Sequence, residues 1–177
     1  MPFPISLCSA IKSRNIISLC ASALLLSACG GTGDDLIGSR YDINVALASS
    51  GSSVTANYDQ DSADNVIDGD NSTASDWAGN ASNDNLKIDF GQLRQISQIK
   101  IFSNGISNNM RIDLSSNNST WFDTLQNAGV DIPCTTVTSN STSITCDFAE
   151  RKPVRYLRFT ALTNSLLNVY EIEVTGY

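Results

Sequence analysis

The chain has 177 residues, 11 of them basic and 18 acidic, with no histidine and a formal net charge of −7. Such an acidic chain is not built to neutralise nucleic-acid phosphates or to dock electrostatically on anionic lipid. The lack of histidine excludes Ser-His-Asp and Cys-His catalysis and removes the commonest zinc ligand.

Residues 1–28 read as a targeting segment. Lys12 and Arg14 give it a positive start, and residues 16–26 are an apolar run too short to span a bilayer comfortably. The run ends in Leu26-Ser27-Ala28-Cys29, which resembles the lipobox of bacterial lipoproteins. The resemblance implies that Cys29 becomes a lipid-bearing N-terminus, so membrane attachment is expected there. Because Gly30 rather than Asp follows, it also implies an outer-membrane lipoprotein of the bacterial cell envelope. Several acyl chains make such an anchor stable.

Cys8 and Cys20 leave with the segment and Cys29 is taken by lipid, so Cys134 and Cys146 remain. An even pair in an exported domain reads as a disulfide. Its short loop contributes on the order of 2–3 kcal/mol. Residues 29–40, rich in glycine and carrying Asp34 and Asp35, read as the lipidated Cys and a flexible tether. Residues 41–177 read as one domain.

Within that domain Tyr58 lies in the first long loop. The run Asn65-Val66-Ile67-Asp68-Gly69-Asp70-Asn71-Ser72-Thr73 then places two carboxylates about a glycine, with amides and hydroxyls after them. Calcium takes about six to eight oxygens of this kind, although the spacing is not that of an EF-hand. Trp77 follows. Period-two alternation marks strands around Leu86, Ile88 and Phe90, then Ile96, Ile99 and Ile101, then Ile112 and Leu114. It resumes over residues 154–159 and at Val169, Ile172 and Val174. Lys87, Asp89, Glu171 and Glu173 are interleaved with these apolar positions. No stretch beyond the targeting segment has a clear 3.6-residue period. The Asn, Ser, Asp and Gly clusters between strands are turn chemistry. Strands at this spacing make an all-β antiparallel sandwich or barrel.

The ordered motifs resemble a known family. They are Asn44-Val45-Ala46-Leu47, Ala63-Asp64-Asn65-Val66-Ile67-Asp68-Gly69-Asp70, Trp77, Leu86-Lys87-Ile88-Asp89-Phe90-Gly91, Arg111-Ile112-Asp113-Leu114-Ser115, Trp121, Val154-Arg155-Tyr156-Leu157-Arg158-Phe159 and Val169-Tyr170-Glu171-Ile172-Glu173-Val174. Their order is similar to that of a discoidin domain, also called the coagulation factor 5/8 C-terminal domain. Its bacterial relatives include the family 32 carbohydrate-binding modules. The resemblance covers residues 41–177. It implies a galactose-binding-like jelly-roll β-sandwich with neighbouring termini and binding loops at one end. It further implies a monomeric, noncatalytic module that binds carbohydrate, displayed here on a lipoprotein. The alternative is an adhesion or protein-interaction module of the envelope with no sugar pocket. Cys134 and Cys146 bracket a Thr/Ser-rich hairpin, a layout similar to the fucose-binding F-type lectins. Those lectins grip the sugar with a His and two Arg residues, a set this chain lacks.

The resemblance also implies one structural calcium. Its ligands would be the Asn65 carbonyl, the Asp68 carboxylate, an oxygen of Asp70, Thr73 (or Ser75) and Glu171, with the Tyr170 carbonyl beside it. A sugar site would combine an aromatic platform with a few orienting polar groups. Tyr58, Trp77, Asn104, Arg111 and Asn164 are the candidates. Trp77 also matches a core position of the family, and Trp121 is expected to be packing.

Overall fold

The computed structural model describes residues 40–104, 110–124, 134, 136–140, 142–163 and 166–177, all within the unit Ser39–Tyr177. The targeting segment, Cys29, the tether up to residue 39 and Asn164 lie outside the described residues. The described residues form β1 (Ile43–Asn44), β2 (Ser53–Ala56), β3 (Trp77–Gly79), β4 (Asn85–Ser103), β5 (Met110–Ser115), β6 (Phe122–Asp123), β7 (Thr136–Ser139), β8 (Ser143–Ala161) and β9 (Leu167–Gly176). Their pairings are antiparallel. Every strand that the alternation marks is present.

β4 and β8 are each 19 residues long and run through both layers. The β4–β8 register shifts between Asp89 and Arg94, where β4 turns a corner at Gly91. The backbone there has φ +73°, and a Cβ would stand 2.9 Å from the Gly51 carbonyl oxygen. Both facts require glycine. Before the corner, β4 lies between β2 and β8, and β8 continues to β5 and β6. After it, β4 lies between β9 and the first part of β8, with β1 and β3 on β9 and β7 on β8. The layers close as a jelly-roll β-sandwich. The ends of the domain meet, with Ile43 opposite Gly176.

The alternating apolar residues face inward. Leu86, Ile88, Phe90, Ile112, Leu114, Leu157 and Phe159 from one layer meet Ile99, Ile101, Val169, Ile172 and Val174 from the other, all buried. Each such side chain contributes roughly 1.5–3 kcal/mol of transfer free energy. A 3-10 helix over Gln60–Ile67 adds Ala63, Val66 and Ile67 to this core. Its eight residues are too few to display a 3.6-residue period in the sequence, and burial alone fixes its apolar side.

The expected disulfide joins Cys134 to Cys146, with their Cα atoms 5.3 Å apart. It ties the chain just ahead of β7 to the β8 strand that β7 pairs with, where Thr138 lies opposite Thr145. The separation is 12 residues, so replacing both cysteines by serine should lower the unfolding free energy by about 2–3 kcal/mol. Urea unfolding of the double variant measures this. An unchanged midpoint would show that the bridge does not constrain the unfolded chain.

Candidate functional site

β9 carries Tyr170 and Glu171 up to the oxygen-rich run that follows the 3-10 helix. Glu171 is 1% exposed. Its Oε2 accepts a hydrogen bond from the Gly69 N–H at 3.2 Å, while its Oε1 is buried without a well-formed hydrogen bond among the described residues, the Asn44 side chain being close enough only to lower the pKa slightly. Burial pushes the Glu171 pKa from 4.5 up to about 8; the Gly69 bond acts against this, and the charges of Asp68 and Glu173 add to it. Asp68 Oδ1 accepts from the Asp70 N–H at 2.7 Å, and its Oδ2 from the Ser75 hydroxyl at 3.1 Å. Asp70 Oδ1 accepts from the Ser72 N–H at 2.9 Å. The Asn65 amide donates to the Asp76 carbonyl at 3.2 Å and closes the loop.

This donor set fits a hard cation. A buried carboxylate oxygen without a well-formed hydrogen bond is costly, and a dication would offset it. No three acidic or cysteine side chains converge among the described residues. Asp68 and Glu171 would therefore be the acids, and carbonyl, amide and hydroxyl oxygens from Asn65, Asp70, Thr73 and Tyr170 would make up the rest. When bound, calcium would supply positive charge between those two acids.

The residues expected at a sugar site divide sharply. Trp77 is 0% exposed, packs edge-on against Phe159 with ring centroids 6.1 Å apart, and donates its indole N–H to the Tyr58 carbonyl at 2.7 Å. It is a core residue, and its assignment to a ligand site is corrected on that ground. Tyr58, whose main chain it holds, is 45% exposed. Asn104, just past the end of β4, is tied to the start of β9, its Oδ1 accepting from the Asn168 N–H at 2.9 Å. Arg111 donates to Asp113 at 3.1 Å.

A recess lies on the outer face of the β2–β4–β8–β5 layer. It has a volume of about 420 Å³. Asn57, Asn85, Lys87, Asn118, Trp121 and Arg158 are among the residues that line it. Alternation builds it, because Leu86 and Leu157 point to the core while Asn85, Lys87 and Arg158 point outward. The registers run Lys87 opposite Arg158, Arg158 opposite Asp113, and Asp113 opposite Asp123.

Hydrogen bonds hold this wall in place. Asn57 Oδ1 accepts from the Asn85 N–H at 2.7 Å, and the Asn57 and Asn85 amides both donate to the Asn83 carbonyl, at 3.2 and 3.0 Å. Both amides are thus oriented before any ligand arrives. The Ser115 hydroxyl accepts from the N–H groups of Asn117 and Asn118, at 3.2 and 3.0 Å. Asn118 sits at φ +62°, a left-handed position that asparagine tolerates better than most residues. This turn brings Trp121 over the Arg158 guanidinium, 4.3 Å from the ring centroid. Arg158 is itself held by Asp113, with Nε and Nη2 at 3.0 and 2.8 Å from Oδ2. Trp121, expected as packing, is half-buried and forms part of the wall. Asn57, Asn85, Lys87, Asn118 and Arg158 escaped the sequence reading. The one signal was an Asn/Ser-rich turn placed directly before a tryptophan.

No curated protein matches the chain significantly. Among solved structures it is similar to the CBM32 module CpGH89CBM32-6 of Clostridium perfringens, with 20% identity, a TM-score of 0.62, and 76% of this chain and 100% of that one covered. It is also similar to the family 32 module of C. perfringens NanJ, solved with galactose, with 19% identity, a TM-score of 0.53, and 76% and 98% covered. A fucolectin from striped bass (Morone saxatilis) serum gives 24% identity, a TM-score of 0.56, and 78% and 50% covered. At these identities the likeness establishes the shared fold. The model of the F5/8 type C domain matches residues 48–172, which is most of the chain, and the chain belongs to that family.

Proposed function

We propose that this protein is a noncatalytic carbohydrate-binding module, displayed on the bacterial cell envelope by a lipid on Cys29. The observation that carries the sugar reading is the recess itself. It joins a half-buried tryptophan to three asparagines, two of them pre-oriented, and to a lysine. Amides both donate to and accept from sugar hydroxyls, and an aromatic edge packs against ring C–H groups. Tyr58, next in the chain after Asn57 and exposed, extends the same surface toward the loop end. Asn104, Arg111 and Asn164 are proposed to contribute from that end. The domain acts as a monomer in this reading. Calcium in the Asp68–Glu171 loop shapes the binding end without touching the sugar.

Titration of the full-length protein with neutral galacto- and gluco-oligosaccharides tests the reading. Trp121→Ala and Asn118→Ala should each weaken the best ligand by about tenfold or more, since a lost aromatic or hydrogen-bonding contact is worth on the order of 1–2 kcal/mol. Their melting temperatures should stay within a few degrees of the parent. If no glycan binds and a protein partner is captured instead, the module is an adhesion domain.

The calcium proposal has a separate readout. A Glu171 pKa of about 8 in the fold, against 4.5, means that the metal-free fold binds a proton that the unfolded chain releases. Stability from this group is complete below pH 4.5 and is lost as pH rises toward 8. Calcium should reverse that loss, so about 1 mM calcium should raise the melting temperature more at pH 8 than at pH 5. Glu171→Gln should abolish the difference. An identical calcium response at both pH values, or none, would reject the site.

A further inference from the structure

Lys87 distinguishes the recess from a site for neutral sugars. It is half-buried, lines the recess and forms no ion pair among the described residues. The cations around it are all engaged. Arg111 and Arg158 both bind Asp113, at 3.1 and 2.8 Å. Arg155 binds Asp89 through two hydrogen bonds of 3.0 and 3.1 Å. Asp89, two positions along from Lys87, holds its carboxyl below the usual range chiefly because of that Arg155 bond, with Lys87 a minor electrostatic influence.

The charges on this face do not cancel. Lys87, Arg111, Arg155 and Arg158 are set against Asp89, Asp113 and Asp123, which leaves a positive surplus on a chain whose net charge is −7. Asp89 matches Arg155 one to one, Arg111 and Arg158 share the single carboxylate of Asp113, and Lys87 is the cation of this face that no carboxylate holds among the described residues. A half-buried ammonium is less solvated than one in water and gains most from an anionic partner with hydrogen-bond acceptors. The groups beside it, Asn57, Asn85 and Asn118, suit hydroxyls rather than a second charge.

We infer that the recess selects an anionic saccharide, placing its carboxylate or sulfate on Lys87 and its neighbouring hydroxyls on Asn57, Asn85 and Asn118. This rests on the carbohydrate reading above and names the ligand class for the same site. Arg158 is a positioning residue here. Its guanidinium holds the Trp121 ring in place. A sugar acid therefore meets the Lys87 ammonium directly, while the Arg158 guanidinium is turned toward Asp113.

Binding of the full-length protein to galacturonic acid trimer, galactose 6-sulfate and neutral galactose trimer, measured by calorimetry at low salt, tests the inference. The acidic ligands should bind about tenfold tighter than the neutral one, the ratio a single charge-assisted hydrogen bond provides. That preference should shrink as sodium chloride is raised to about 0.5 M. Lys87→Gln should bring the ratio close to one. Lys100→Gln should keep it, because Lys100 lies in the other layer over the Phe102 ring, 4.4 Å from its centroid. The two acidic ligands show whether carboxylate or sulfate is preferred. Equal affinity for acidic and neutral ligands, or a preference that survives Lys87→Gln, overturns the inference and leaves the carbohydrate reading standing. Failure of all three ligands, together with failure of the neutral panel, overturns both.

Discussion

Two strands shared by both layers hold this domain together. β4 and β8 pair with each other along nearly their whole length, and each turns from one sheet into the other. Neither layer can shift register without moving the other, because a slip of one residue would turn every apolar side chain outward. The corner at Gly91, which no L side chain can occupy without strain or collision, fixes where the turn occurs. The recess and the acid-rich loop both depend on that register. Asn85, Lys87 and Arg158 share an outward face because they sit on paired strands, and Glu171 reaches Gly69 because β9 runs beside β4.

The two sites differ in how their charges are handled. Glu171 is a buried acid with one oxygen lacking a well-formed hydrogen bond among the described residues, a local deficit of positive charge at the loop end. Lys87 is the reverse, a half-buried cation with no acid to itself. Asp113 separates these regimes. By holding both Arg111 and Arg158, it halves the charge of a basic cluster that supports Trp121 and leaves Lys87 as the cation of that face without a carboxylate among the described residues. A hydrophobic replacement at Asp113 would leave two partly exposed guanidinium groups without their shared carboxylate and loosen the one that lies against the Trp121 ring.

The fold was legible because antiparallel strands with one solvated face write their burial into the sequence at every second residue. The runs at residues 86–90, 112–114 and 154–159 could be read from that alone, and exported-chain arithmetic paired Cys134 with Cys146. The 3-10 helix was not legible, since eight residues leave too few turns to establish a period. Trp77 misled for a different reason. A tryptophan beside a polar loop looks the same in sequence whether its ring fills the core or lines a cleft, and only its bond to the Tyr58 carbonyl and its contact with Phe159 decide between them. Lys87 was read as one more outward charge in an alternating strand. Its lack of a partner follows from where Arg155 and Arg158 find theirs, on strands distant in sequence, and no local pattern records that.

The pairing of β1 with the end of β9 has a geometric consequence. Ile43 and Gly176 meet at the level of Ile96, next to the corner, whereas Asn85, Ser103 and Ala161 mark the opposite end of the long strands. The stretch of β4 from there to Ser103 rises by roughly 23–25 Å at about 3.3 Å per residue. Both exits of the chain thus lie at the floor of the domain. Whether it is held from its first residue or its last, on a cell, a bead or a sensor chip, the same rim is lifted clear of the support. Fusions joined directly at either end of the 41–177 domain should therefore leave the recess equally open to solution.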